Sequence, residues 1–182
     1  MNNPVFRGRI ILLALILMFA LPAIIAKTVL SNHWYNSGVT NKGVLLHPKI
    51  DFDGLGLKNP YQNSQWQLGY FVPEQCDTLC IEQIHLLGQS HVALGKYQGR
   101  VAPVVWVSER SDKNVLQQHA FQVVMVNNEF SKVISPYDFV IVDPLGQLVM
   151  RYPKSASQQE LVAQAKGLLS DLRKLLKLSR VG

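Results

Sequence analysis

Apolar and polar positions follow three different patterns along this chain, and each pattern predicts a different kind of element. From Ile10 to Ala26 the chain is apolar with no charged residue. Extended to Leu30, with the Lys27 ammonium reaching back toward headgroups, the segment has about 20 residues, enough to cross a bilayer at 1.5 Å per residue. Pro22 lies near one end of it, where a helix tolerates proline. Short runs rich in β-branched and aromatic residues predict strands at Trp66–Val72 and Phe121–Val126. The run VAPVVWV from Val101 to Val107 is nearly unbroken, as in a strand buried on both faces. Pro73 removes a ladder donor and ends the first strand. Phe139–Val142 and Leu148–Tyr152 flank Asp143-Pro144-Leu145-Gly146, a turn sequence, and predict an antiparallel hairpin.

Helical spacing appears twice. From Cys80, the positions Ile84, Leu87, His91 and Leu94 recur on one face, with Ile81, Gly88 and Val92 beside them. Asp77 or Thr78 can cap this helix, and Gly95 and Gly99 mark its end. Leu161, Val162, Ala165, Leu168, Leu169, Leu172, Leu175 and Leu176 form the apolar face of a last helix. Asn114 to His119 predicts a short helix. Helices between strands imply right-handed crossovers and a parallel core, and the closing hairpin makes the sheet mixed. The fold class is therefore α/β.

The organisation follows: residues 1–9 as a cytoplasmic amino terminus, 10–30 as a transmembrane anchor, 31–63 as linker and irregular lead-in, and 64–182 as the domain. The lead-in is rich in Asn, Gly, Pro and Ser; it reads as linker to about Thr40, then irregular chain or a short added strand. His33 and His47 fall there and read as solvated.

Composition sharpens this. A hydrophobic share of 48% with 16% charged residues suits a globular domain plus an apolar segment and excludes a disordered chain. The net charge of +6 is uneven. Arg7 and Arg9 precede the apolar segment, so the amino end stays in the cytoplasm and the rest is exported. Lys166, Arg173, Lys174, Lys177 and Arg180 form the solvated face of the last helix. No aromatic-basic motif accompanies them, so nucleic acid is not an expected partner. A cleaved signal peptide is disfavoured because Ile24 stands where cleavage wants a small residue.

Both cysteines of the chain, Cys76 and Cys80, lie four residues apart at a helix start. Outside the cytoplasm such a pair forms a disulfide or is kept reduced by a dedicated system. At this spacing the Cα atoms are about 6 Å apart, within disulfide range. The helix start favours thiolate, and Glu74 and Asp77 oppose it by like charge. As a structural staple the pair closes a loop worth only roughly 2 kcal/mol, against nearly 5 for a long loop, so exchange chemistry is the better reading. Two thiolates also suit Cu(I), with His85 as candidate third ligand. His91, on the apolar stripe, reads as a satisfied core histidine; Met125 and Met150 read as core. A zinc site would need a second ligand pair, which the sequence lacks.

The run YFVPEQCDTLC, the helix after it and RVAPVVWVSE resemble the Sco family of cytochrome oxidase assembly proteins, which are membrane-anchored and thioredoxin-like. FVIVDPLGQLVMRYP is similar to that family's strand-turn-strand. The chain also resembles, from its anchor through TNKGVLLHP to its end, short single-anchor proteins encoded beside cytochrome c oxidase genes in proteobacteria. The resemblance implies a thioredoxin-like mixed sheet flanked by helices. It also implies a bacterial inner-membrane location with the domain in the periplasm. The implied partners are a cytochrome c oxidase subunit, the copper-bearing one, and a periplasmic electron donor that the sequence does not name. The family's copper-ligating histidine would fall at Ser135, which moves the weight from Cu(I) transfer toward dithiol exchange. In that scheme Cys76 attacks and Cys80 resolves. Pro136 sits where thioredoxins carry a proline against the active-site sulfurs, so Ser135–Pro136 is expected to be cis and to face Cys76. The contrasting expectation is a non-catalytic anchored module that holds an oxidase subunit, with the pair locked as a structural disulfide.

Overall fold

The computed structural model describes residues 4–31, 41–118 and 121–179, and the chain forms two compact units dividing after Thr40. The expectations for the 32–40 linker, His33, His119 and Arg180 lie outside the described residues. Among the described residues the first unit holds one helix, α1 (Pro4–Ser31), with Pro22 inside it. Its span Phe6–Val29 has 24 residues at a mean hydropathy of 2.7, long and apolar enough to cross a membrane.

The second unit holds β1 (Val44–Asp51), β2 (Trp66–Phe71), α2 (Thr78–Ala93), β3 (Val101–Val107), β4 (Gln122–Met125), α3 (Asn128–Val133), β5 (Phe139–Val142), β6 (Gln147–Tyr152) and α4 (Gln158–Leu178). Short stretches of tighter helix occur at Gly95–Arg100 and Asn114–Gln118. The sheet has six strands in the order β1-β6-β5-β2-β3-β4. β2, β3 and β4 run parallel, whereas β5 lies antiparallel to β2 and the hairpin β5–β6 carries β1 on its outer side. This is the mixed sheet the element order implies. The domain nevertheless begins before residue 64: the compact unit starts at Asn41, because β1 pairs with β6 and Phe52 enters the core.

β2 is buried along its whole length, and side-chain alternation divides its contacts between two faces. Leu68 and Tyr70 pack with Val105, Ile141 and Tyr152 beneath α2 and α4, which contribute Ile84, Leu87, Leu168 and Leu172. On the other face Phe71, Val104, Trp106 and Val140 pack with Phe52 and with Phe130 of α3. Trp106 lies 5.3 Å from Phe130 and 6.4 Å from Phe52 between ring centroids. Gly69 leaves the space that this indole fills; a Cβ there would collide with Trp106.

The core expectation for the methionines divides. Met150 is buried, but Met125 is 52% exposed, because β4 is a four-residue edge strand with Val124 facing inward. Where the chain enters the domain, buried Asp171 of α4 accepts the amides of Lys42 and Gly43 and the Tyr152 hydroxyl. That triple acceptance fixes the start of β1 against the last helix.

Candidate functional site

β2 ends at Phe71, and the chain passes through Val72 and Pro73 to the start of α2. There Cys76 and Cys80 are joined as a disulfide with Cα atoms 5.2 Å apart. Helical geometry turns Cys80 into the core, where it is fully buried beside Ile84 and Leu87, and leaves Cys76 half-buried at the surface. Asp77 is the cap: its Oδ1 accepts the Cys80 amide at 2.9 Å.

Two other segments hold this turn in place. The loop after β3 contributes Ser111, whose hydroxyl donates to the Val72 carbonyl at 2.7 Å. It also contributes Asp112, whose amide donates to the Pro73 carbonyl at 2.9 Å and whose Oδ2 accepts the Cys76 amide at 3.4 Å. Arg110 pairs with Glu74 at 3.2 Å, but both are exposed and such pairs contribute little. The segment before β5 contributes Tyr137. Its amide donates to the Phe71 carbonyl at 2.8 Å and its hydroxyl to the Gln75 carbonyl at 3.3 Å. Asp77 is a further neighbour of its phenol. Buried Gln83, one turn after Cys80, accepts the Tyr70 hydroxyl at 3.0 Å and donates to the Tyr137 carbonyl at 3.2 Å.

Burial, and then the neighbouring Tyr137, Asp77 and Asp138, pushes the Tyr70 phenol above its ordinary value. Burial and Asp77 do the same to Tyr137. Both phenols therefore remain hydrogen-bond donors at neutral pH. The Lys154 ammonium sits 3.7 Å from the Tyr137 ring centroid.

The expected cis bond is not present. Ser135–Pro136 is trans, and among the described residues the cis bond is His47–Pro48. Ser135 to Asp138 form a type II turn: the Asp138 amide donates to the Ser135 carbonyl at 3.1 Å, and Tyr137 has φ +73°. Proline occupies the second position of that turn, where a trans bond is favoured, and both Ser135 and Pro136 are exposed. It is Tyr137, not Pro136, that hydrogen-bonds to the cysteine turn.

Nor does the structure bring His85 to the pair. Five residues after Cys80 place it about 140° around α2; it is exposed, with Nε2 3.1 Å from the Gln89 amide nitrogen. Among the described residues no three His, Cys, Asp or Glu side chains are grouped to hold a metal ion. His91 is satisfied, with Nε2 2.9 Å from the Val101 carbonyl oxygen, but half-buried and not in the core. Gln83 was discernible in sequence as a polar residue on the buried helix face. Asp112 carried no signal, since only the tertiary fold brings it to Cys76.

A parallel β-α-β unit joined to an antiparallel hairpin and closing helix, with a dithiol pair at the first helix start, defines a thioredoxin-like protein. Residues 66–179 match the model of the family described as transmembrane-like, thioredoxin-like, C-terminal domain, and the chain belongs to that family. Solved structures similar to the chain include apo Sco1 from Thermus thermophilus, at 14% identity and TM-score 0.48, over 77% of this chain and 99% of that one. Yeast Sco1 with copper bound is similar at 18% identity and TM-score 0.46, over 75% and 93%. A secreted disulfide oxidoreductase of Mycobacterium tuberculosis is similar at 19% identity and TM-score 0.39, over 58% and 83%. The copper and the oxidoreductase activity in those descriptions belong to those proteins. A comparison with curated proteins finds no match.

Proposed function

We propose that this protein is a membrane-anchored dithiol–disulfide exchange factor of the bacterial periplasm. In this reading it reduces the oxidised cysteine pair of the copper-bearing cytochrome c oxidase subunit during assembly. The observation that carries the reading is the asymmetric pair, Cys76 half-buried at the surface and Cys80 buried behind it. With the pair reduced, the Cys76 thiolate attacks a substrate disulfide; the substrate S–S bond breaks, and one substrate sulfur leaves as thiolate and takes up a proton. Cys80 then attacks Cys76 Sγ in the mixed disulfide, closing the Cys76–Cys80 bond and releasing the second substrate thiolate. Two electrons and two protons pass to the substrate, and a periplasmic thiol donor returns them to the pair.

The oxidase as destination rests on the resemblance of the cysteine turn and hairpin to Sco proteins. The periplasm rests on Arg7 and Arg9 ahead of the uncharged stretch that begins at Ile10. Cu(I) as cargo is the second reading, supported by the two thiolates that the reduced pair would present at this Cα separation. Cys76 and Cys80 are the ligands it would use, and with His85 turned away and Ser135 unable to replace imidazole it lacks a third.

Reduction of an oxidised peptide carrying the two copper-site cysteines tests the proposal in the full chain. Cys76→Ser is expected to abolish reduction. Cys80→Ser is expected to abolish turnover and to trap a mixed disulfide at Cys76. Undiminished turnover in either variant sinks the exchange reading, and oxidase assembly supported by both variants would instead favour a holding module with a structural disulfide.

A further inference from the structure

We infer that Asp112, together with Asp77, sets the redox poise of the Cys76–Cys80 pair and makes it an electron donor; this rests on the exchange reading above. A helix start ordinarily stabilises a cysteine anion through free backbone N–H groups and the positive end of the helix dipole. Here the amides of the two cysteines themselves are already taken by carboxylates. The Cys76 amide donates to Asp112 Oδ2 at 3.4 Å and the Cys80 amide to Asp77 Oδ1 at 2.9 Å. Sulfur charge that appears when the disulfide opens therefore develops beside two amides already committed to carboxylates.

Asp112 is held in that position. Its amide donates to the Pro73 carbonyl at 2.9 Å, and its Oδ1 accepts the Asn114 amide at 3.1 Å. The charged groups around the turn do not reverse the effect. Arg110 lies on Glu74 at 3.2 Å, and Lys154 lies over the Tyr137 ring at 3.7 Å. The Tyr137 phenol donates to the Gln75 carbonyl at 3.3 Å. Opening the bond is thus disfavoured relative to a helix start with free donors. A pair poised this way gives its two electrons to an oxidised protein dithiol in place of taking them.

The test is the equilibrium of the pair with glutathione in the full chain in detergent micelles, with the reduced fraction read by alkylation and mass shift. Asp112→Asn is expected to shift the equilibrium toward the dithiol by about tenfold, which is about 30 mV. Glu74→Gln, whose carboxylate is exposed and already paired with Arg110 at 3.2 Å, is expected to shift the equilibrium less than Asp112→Asn does. Circular dichroism of Asp112→Asn establishes that the fold is retained; Asp112→Ala, which also frees the Cys76 amide, is expected to shift in the same direction. Exchange in the wild type with no shift in Asp112→Asn, or a shift toward the disulfide, overturns the role of Asp112 and leaves the exchange reading standing. A wild-type pair that does not exchange with glutathione at any ratio overturns both.

Discussion

Asp138 is almost fully buried at the end of the turn that carries Tyr137, with its Oδ2 accepting the Ser135 amide at 3.2 Å. Burial raises its carboxyl above the ordinary 3.8, outweighing the Ser135 amide, the Arg151 guanidinium and the Lys154 amide, which act to lower it. A folded pKa above the unfolded one means that the folded state holds the proton more tightly. The stability this contributes is fully present below the unfolded pKa and is lost as pH rises through the folded one. Urea midpoints are therefore expected to fall as pH climbs from 3.8 through the raised value, and Asp138→Asn is expected to flatten that decline. An unchanged slope in the variant would assign the pH dependence to other groups. Single residues at the site differ in how far sequence reveals them. Cys76 and Cys80 stand out because they are the chain's two cysteines, and Asp77 because capping chemistry is local. Tyr137 and Asp112 do not, since each acts across 36 or more residues of separation.

Among the elements, the strong patterns hold. The unbroken run Val101–Val107 is a central strand, and the spaced leucines of 161–176 lie within α4. The element missed is α3, whose six residues are too few for a helical period to register. Its signs are local: Asn127 accepts the Phe130 amide at 3.0 Å, and Glu129 sits in the first turn. β1 was discernible only as an added strand, because its burial comes from pairing with β6 and not from its own alternation. Its attachment depends on Asp171. Asp171→Ala leaves the Lys42 and Gly43 amides and the Tyr152 hydroxyl without their acceptor, at about 1–3 kcal/mol per buried donor. Hydrogen exchange at Val44 and Leu45 is expected to quicken in the variant more than exchange at Leu68 and Tyr70. Equal acceleration throughout would show that Asp171 supports the whole domain and not this edge.

For the whole molecule, the apolar helix and the domain are separate units, and the charge in the first turns of the helix carries the proposal about which side the domain occupies. Arg7→Glu with Arg9→Glu is expected to lower the fraction of chains whose carboxy-terminal reporter is exported, by several-fold. Unaltered export would remove Arg7 and Arg9 from the topology argument. What the sequence determined by itself is whatever local chemistry and periodicity carry: the apolar span, the strands, the two long helices, the hairpin turn and the cysteine pair at a helix start. What only the tertiary structure decided is which distant groups converge on that pair. The trans turn at Pro136, the Tyr137 bonds to the segment leading into Cys76, the Asp112 carboxylate on its amide and the outward turn of His85 depend on packing between segments far apart in the chain. No pattern within one segment encodes such contacts; they arise when the two faces of one central strand are buried at once.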